Sequence, residues 1–308
     1  DLKTVTPNDV ENVCKKLGIP LHIIELRDEF KNIVIDYFVN EYKNGKTPNP
    51  CAICNKFIKF GILLDKAEEL GAKLLATGHY ANIFYNNENN KFYIQKARNL
   101  AKDQSYFLGF LDQIQLSKIK FPLGDFSSKD EIRQIAKSIN LPVHEKTDSQ
   151  EICFIPNNDY RDFLKKINVN LDKKGDIILS SGEKIGEHTG ITNYTIGQRK
   201  GLGYNQKVYV KSLDIKNNTV IVSNNEELYY NECIAEIANI IEPEKFLTPQ
   251  KINARIRYKH TEQPATAQII DNNRIKIIFE KPQRAITPGQ ILVIYENDLV
   301  LGAGFILE

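Results

Sequence analysis

The period of the hydrophobic pattern changes once along the chain, near residue 160, and that change limits the folds open to it. Before this point apolar residues recur at steps of three and four, the spacing of one helix face. Val10, Val13, Cys14 and Leu17 form the first stripe, opened by Thr6-Pro7 as N-cap and first helical residue and closed by Gly18. Phe30, Ile33, Val34, Tyr37 and Phe38 form a second, stopped by Gly45. A third opens at Asn49-Pro50, runs through Ile53, Phe57, Phe60, Leu64 and Ala67, and ends at Gly71. Between them lie short apolar runs of strand type, Leu21 to Leu26 and Lys73 to Thr77, the latter expected to be buried and to lead into Gly78-His79-Tyr80. A further helix is expected over Lys129 to Ile139. Strands separated by helices predict a parallel sheet and an α/β fold.

Beyond residue 160 the elements become short strands. Lys207 to Leu213 and Thr219 to Ser223, split by Asn217-Asn218, read as a hairpin. Asn253 to Tyr258, Ala265 to Ile270, Arg274 to Phe279, Ile291 to Tyr295 and Leu299 to Ile306 read as further strands. Asn272-Asn273, Pro288-Gly289 and Asn297-Asp298 supply the turns. The second half is therefore expected to be all-β, built from small barrels or sandwiches, with a boundary between Leu228 and Asn239.

At 308 residues the chain is long enough for two or three domains, at about 100–200 residues each. Its 41 Lys+Arg nearly balance 39 Asp+Glu, so any nucleic-acid contact must come from local patches. No apolar run approaches the roughly 18–20 residues of a membrane span, and no membrane partner is expected. The start, DLKTVTPNDV, has no apolar h-region. Five cysteines in this length suit a reducing, cytoplasmic setting better than a disulfide framework. With no Met and a first residue of Asp1, the chain is expected to be processed, trimmed or a fragment.

Cys51-Ala-Ile-Cys54 is the first pattern with chemistry in it. Asn49-Pro50 places Cys51 in the first turn of its helix and Cys54 just beyond. Unpaired N–H groups and the helix dipole there favour thiolate, so both sulfurs are expected to be more nucleophilic than a free cysteine. A structural zinc site wants four ligands and no second CxxC exists. Cys153 can join them only through the fold, and small packing residues would satisfy the same local pattern. Cys14, on an apolar helix face, and Cys233, in a β-region, read as packing residues. His79 follows a strand, where α/β proteins place ligand contacts, and Gly78 permits close backbone approach. Asp103-Gln104-Ser105 precedes Tyr106-Phe107-Leu108 and suits a helix N-cap.

Two stretches are basic and free of acid. His188 to Leu213 carries Arg199, Lys200, Lys207 and Lys211 with Tyr194, Tyr204 and Tyr209 interleaved. Its Gly197-Gln-Arg-Lys-Gly-Leu-Gly203 loop can bring amides and cations to phosphates. Lys251, Arg255, Arg257, Lys259 and His260 form the second, and strand alternation would put Arg255, Arg257 and Lys259 on one face. Such segregation suits a polyanion, RNA among them, or simply a solvated strand face.

Taken in order, these residues carry a resemblance. Lys46-Thr-Pro-Asn-Pro-Cys-Ala-Ile-Cys-Asn-Lys-Phe-Ile-Lys-Phe60, Ala76-Thr-Gly-His-Tyr-Ala81, Lys102-Asp-Gln-Ser-Tyr-Phe-Leu108, Asp148-Ser-Gln-Glu-Ile-Cys-Phe-Ile155, Gly186-Glu-His and Tyr194-Thr-Ile-Gly-Gln-Arg-Lys-Gly-Leu-Gly203 follow one another. So do Thr287-Pro-Gly-Gln290 and Leu301-Gly-Ala-Gly304. Together the chain resembles the bacterial tRNA-specific 2-thiouridylases from end to end. The resemblance implies an α/β, Rossmann-like ATP-pyrophosphatase domain over 1–159, incomplete at its start, then two small β-barrel-like domains. These are a central β-domain over 160–228 and a C-terminal β-barrel over 229–308.

The resemblance also implies a reaction and a site. ATP, with Mg²⁺, adenylates the C2 oxygen of the wobble uridine of a tRNA, and a persulfide sulfur replaces that oxygen. Cys153 would carry the persulfide, and Cys54 would attack it or resolve it by a disulfide. Gly78 and His79 would serve the nucleotide. Lys102, Asp103, Gln104, Ser105, Tyr194, Gln198, Arg199, Lys200, Arg255, Arg257 and Tyr258 would contact tRNA. A persulfide donor protein is the implied partner, and a monomer the implied state. Two departures stand out. The family's Ser-Gly-Gly-x-Asp-Ser loop, which cradles ATP phosphates, is absent from this sequence, and Asp1 resembles a point just after it. Cys51 replaces the Asp of some members, so Cys51, Cys54 and Cys153 would also suit an iron–sulfur cluster with one open iron, a zinc ion, or a redundant thiol. Other readings are a non-catalytic RNA-binding fragment or degenerate paralogue, and an adenylating enzyme acting on a small molecule. The two basic segments argue against the small molecule.

Overall fold

The computed structural model describes residues 7–141, 152–155, 159–167 and 173–307. Thr6 and residues 148–151, which the sequence reading uses, lie outside the described residues. Pro7–Leu17 is helical as expected. Arg27–Phe30, Lys31–Ile35 and Asp36–Lys43 join into one helical rod whose middle is a π-helix. Val34, Phe38, Val39 and Tyr42 are its buried stripe.

A second rod starts at Pro50–Ile53, with Pro50 in its first turn and Asn49 Oδ1 accepting from Ala52 N at 3.3 Å. Cys54–Ile62 is π-helical, and Leu63–Glu69 returns to α geometry. The wider turn re-aims the apolar stripe. Ile53, Ile58, Phe60 and Leu64 are buried, whereas Phe57, expected on the core face, is 47% exposed. Lys129–Ser138 forms the later helix, capped by Ser128.

Strand β1 is Leu75–Ala76, β2 Ala81–Asn86, β3 Lys91–Lys96 and β4 Ile119–Lys120. β1 pairs with β4 in parallel, as an α/β fold requires. It is shorter than expected, with Leu75 half-buried and Ala76 exposed rather than a buried run from Lys73 to Thr77. The run from Leu21 to Leu26 forms no strand, and Ile23 is 80% exposed. No neighbouring strand satisfies its backbone among the described residues. β2 and β3 form an antiparallel hairpin that the sequence reading missed.

The central domain contains β5 Gly175–Leu179, β6 Lys184–His188, β7 Tyr209–Asp214 and β8 Thr219–Ser223, in sheet order β6-β5-β8-β7. β7 and β8 are the expected hairpin. The last domain runs β9 Tyr229–Ile240, β10 Gln250–Arg255, β11 Gln263–Ile269, β12 Arg274–Arg284, β13 Ile291–Glu296 and β14 Leu299–Ile306. Their order, β13-β10-β11-β12-β9-β14, closes through a β13–β14 pairing into a six-stranded barrel. Closure removes the unpaired strand edges. β10 stops at Arg255, so Arg257 and Lys259 lie in the following turn and do not share a strand face with it, contrary to the alternation argument.

β3 joins β14 through Leu299 and Gln95, which grafts the β2–β3 hairpin of the first half onto the barrel sheet. One core accordingly spans both halves. Val34, Ala52, Ile53, Phe60 and Phe121 pack with Val293, Tyr295, Val300 and Ala303. Burying each large apolar side chain there contributes about 1.5–3 kcal/mol, so the helices that carry the cysteines draw stability from the barrel.

Candidate active site

Cys51 lies in the α-helical turn after Pro50, and Cys54 is the first residue of the π-helix. π-Turns inside α-helices frequently mark functional sites. Cys153 is exposed, at the tip of a turn closed by Ile155 N donating to Ile152 O at 3.0 Å. Its neighbour Phe154 anchors that turn edge-on to Phe30 and Phe38, with ring centroids 5.7 and 5.3 Å apart, and Phe163 packs against it at 5.4 Å. Ile155 is buried beside them. The apolar residues face inward and Cys153 faces out.

Cys153 lies close enough to act electrostatically on both other thiols. Burial, then Cys153, pushes the Cys51 thiol up to about 11, Cys54 adding to the rise and Lys59 opposing it. Burial raises Cys54 as well, with Lys59 lowering it and Cys153 raising it. The expectation that the first turn makes both sulfurs thiolate-rich is thereby overturned. The low-dielectric surroundings penalise the anion, and burial is the largest cause for both thiols. All five cysteines are free thiols; Cys14 is half-buried on the first helix and Cys233 is buried in the barrel.

Lys59 is the cation the sequence reading overlooked. It follows Cys54 by five residues in the same π-helical segment, an offset that points off-face in an α-helix but recurs in a π-helix. The same ammonium acts on His79, which burial first and Lys59 second depress to about 3. His79 Nδ1 lies 2.7 Å from Thr77 Oγ1, and the ring sits 5.7 Å from those of both Phe60 and Phe121. This imidazole is neutral at working pH. Gly78 beside it is exposed, just past the carboxyl end of β1.

The Lys102 to Leu108 segment is a bracket rather than a simple cap. Asp103 is buried, and its Oδ1 accepts from Ala97 N at 3.0 Å and Ser105 N at 3.3 Å. Its Oδ2 accepts from Ser105 Oγ at 2.7 Å and lies 3.8 Å from Arg255 Nη1. Gln104 Oε1 accepts from Tyr80 N at 2.9 Å, holding the strand end that carries His79. Asp103 and Ser105 are therefore turned inward, and Lys102 and Gln104 are half-buried. Tyr106 donates to Ile291 O at 2.8 Å. Arg255 lies over the rings of Tyr106 and Tyr258 and donates to Tyr258 O. Arg257 is half-buried, its Nη2 donating to Arg284 O at 3.1 Å.

In the glycine loop Arg199 and Lys200 are exposed. Tyr194 is buried, its hydroxyl donating to Gly201 O at 3.3 Å, so it shapes the loop. Gln198 Nε2 donates to Lys200 O at 2.8 Å. The loop borders a cavity of about 600 Å³ whose lining includes Arg161, Lys165, Gln198 and Lys200.

Among the described residues no three His, Cys, Asp or Glu side chains converge closely enough to hold a metal ion. No helix among the described residues is long and apolar enough to cross a membrane.

Paired thiols and a neutral histidine that share the field of Lys59, in an α/β domain braced by a closed barrel and a smaller β-domain, define a modular, thiol-bearing protein. Residues 3–157 match the family described as tRNA methyl transferase HUP domain, 161–224 the tRNA methyl transferase PRC-barrel domain, and 230–306 the aminomethyltransferase beta-barrel domain. The tRNA-specific 2-thiouridylase MnmA of Clostridium acetobutylicum is 45% identical over 300 residues, covering 97% of this chain and 84% of that protein. The protein of that name from Clostridioides difficile is 42% identical over 300 residues, with 97% and 83% covered. MnmA 1 of Caldanaerobacter subterraneus is 44% identical over 301 residues, with 97% and 82% covered. The chain belongs to the tRNA-specific 2-thiouridylase family.

Proposed function

We propose that this protein is a tRNA sulfurtransferase that converts the wobble uridine to 2-thiouridine. The observation that carries the reading is the juxtaposition of exposed Cys153 with half-buried Cys54 and Cys51. A sulfur carrier must be reachable by a donor protein, and its resolving partner must be sheltered from other oxidants. Cys153 and Cys54 suit those two roles.

The chemistry follows from leaving-group ability. The C2 oxygen of uracil leaves poorly, whereas the same oxygen esterified as an adenylate leaves with AMP. ATP, with Mg²⁺ on its phosphates, supplies that adenylate and releases pyrophosphate; Gly78 and His79 would lie on its side of the site. A donor protein loads Cys153 with a sulfane sulfur. The terminal sulfur bonds to C2 and AMP departs with the oxygen. The Cys54 thiolate takes the other sulfur as a Cys54–Cys153 disulfide, either after that bond forms or by first releasing hydrosulfide. The Cys54 proton goes to solvent, and an external thiol reductant restores the dithiol by two electrons. Neutral His79 can donate or accept a hydrogen bond without adding a charge. Arg199 and Lys200 would hold the phosphate backbone, joined by Arg255, Arg257, Tyr258, Lys102 and Gln104 nearer the thiols. The complex is expected to contain one copy of the chain.

The test is thiolation by the full-length protein with tRNA, ATP and a persulfide donor, read as 2-thiouridine by nucleoside mass spectrometry. Product in the wild type and none in Cys153→Ser supports the reading. Wild-type yield from Cys153→Ser rejects the carrier role. Tight tRNA binding without any product favours the non-catalytic binder.

A further inference from the structure

We propose that Arg284 is a positioning residue, which locks the central domain's glycine loop to the barrel segment that also braces the cysteine helix. Arg284 ends β12 and is half-buried. Its Nε donates to Asn225 Oδ1 at 2.8 Å, its Nη2 donates to Gly197 O at 3.4 Å, and its guanidinium lies over the Tyr209 ring at 5.0 Å. Gly197 and Tyr209 belong to the central domain, and Asn225 to the connection leaving it. Backbone contacts reinforce the joint. Arg284 O accepts from Arg257 Nη2, and Ala285 N donates to Leu228 O at 2.8 Å. Gly197 has φ +85°, and a Cβ there would lie 2.9 Å from Ala285 Cβ, so the loop base and the barrel are in direct contact.

The segment that begins at Arg284 reaches the residues leading into the cysteine helix within seven residues. Ala285, Ile286 and Thr287 are buried. Thr47 N donates to Pro288 O at 2.9 Å, and Gln290 Nε2 donates to Thr47 O at 3.0 Å. Gly289, at φ +86°, sits so close that a Cβ would lie 2.8 Å from Lys46 Cβ. Thr47 is two residues before Asn49, which caps the helix of Cys51 and Cys54. One buried run thus touches the loop of Arg199 and Lys200 at one end and the approach to the cysteines at the other. A planar fork with two separately aimed donors and a stacked face fixes orientation in a way that a lysine ammonium does not. Misplacement of a reacting group by about 1 Å can cost on the order of a hundredfold in rate.

The structural half of this proposal stands alone, and its effect on rate rests on the thiolation reading. Arg284→Ala, Arg284→Lys and Asn225→Ala in the full-length protein test it. Amide exchange at Gly197 and Gln198 is expected to accelerate about tenfold in each. Single-turnover thiolation should fall roughly ten- to a hundredfold. The tRNA dissociation constant should change less than about threefold with an unaltered salt slope. Alkylation of Cys54 should keep its rate, and the double Arg284→Ala, Asn225→Ala variant should lose less than the sum of the two. Asn225→Ala keeps the arginine and reads the same joint if the Arg284 variants fail to fold. Unchanged exchange in Arg284→Ala overturns the joint. Full activity in Arg284→Lys, or a tenfold loss of tRNA affinity with a shallower salt slope, overturns positioning in favour of a phosphate contact. Faster exchange in a protein that never thiolates supports the joint and rejects the thiolation reading.

Discussion

The Lys59 ammonium acts on the Cys54 thiol from five residues further along one π-helical segment, and it offsets the burial that holds the thiol protonated. Cys51 feels the same cation. The position is set by the π-turn, since the same two residues on an α-helix would point apart.

Lys59→Met should therefore raise the Cys54 thiol further and slow its alkylation at pH 8 several-fold. The pH profile of iodoacetamide labelling should move to higher pH, with the plateau rate retained. An unshifted profile would remove Lys59 from the site.

Burial first, and the Lys59 ammonium second, depress the His79 imidazole to about 3, well below the roughly 6.5 of a free imidazole. Between these two values the unfolded chain binds a proton that the folded chain refuses. Stability should then be flat above pH 7 and fall as the pH drops through 6.5 toward 3, by up to about 2 kcal/mol at pH 5 from this residue. Urea unfolding at pH 7 and pH 5 checks it, and His79→Gln should shrink the difference. An imidazole resonance that titrates near pH 6.5 in the folded protein would contradict the assignment.

Asp103→Ala should destabilise by about 3–5 kcal/mol, because it leaves Arg255 and three donors from Ala97 and Ser105 without their acceptor. Denaturant unfolding measures this. A stable variant with selectively weakened tRNA binding would instead point to Asp103 as an RNA contact.

Arg199→Ala with Lys200→Ala should weaken tRNA binding and lower the slope of log K against log salt by about 1.5–2. Both side chains are exposed, so the melting temperature should hardly move. An unchanged salt slope would take the RNA backbone away from this loop.

Cys153→Ser should abolish thiolation and leave both stability and tRNA affinity within experimental error, because the thiol is exposed while Phe154 and Ile155 hold the turn. Cys51→Ser, by contrast, should retain thiolation if Cys51 is a redundant thiol.

Much of this protein is legible locally. The stripe Val34, Phe38, Tyr42 specifies its helix, Asn49-Pro50 specifies a helix start, and Asn217-Asn218 and Asn297-Asp298 specify hairpins, because caps, turns and periodicity act over a few residues. The ordered motifs likewise mark the family. The remainder depends on contacts distant in sequence. Leu21 to Leu26 has strand composition but no partner among the described residues, and the β2–β3 hairpin finds its partner in β14. β13 meets β10, and β14 meets β9, only once the barrel closes. Asp103 has the chemistry of a surface cap and became a buried acceptor because Ala97, Ser105 and Arg255 converge on it. Sequence named the cysteines; tertiary structure brought Cys153 to Cys54 and buried Cys51 and Cys54 so that their thiols are pushed up, since desolvation and charge depend on what surrounds a thiol.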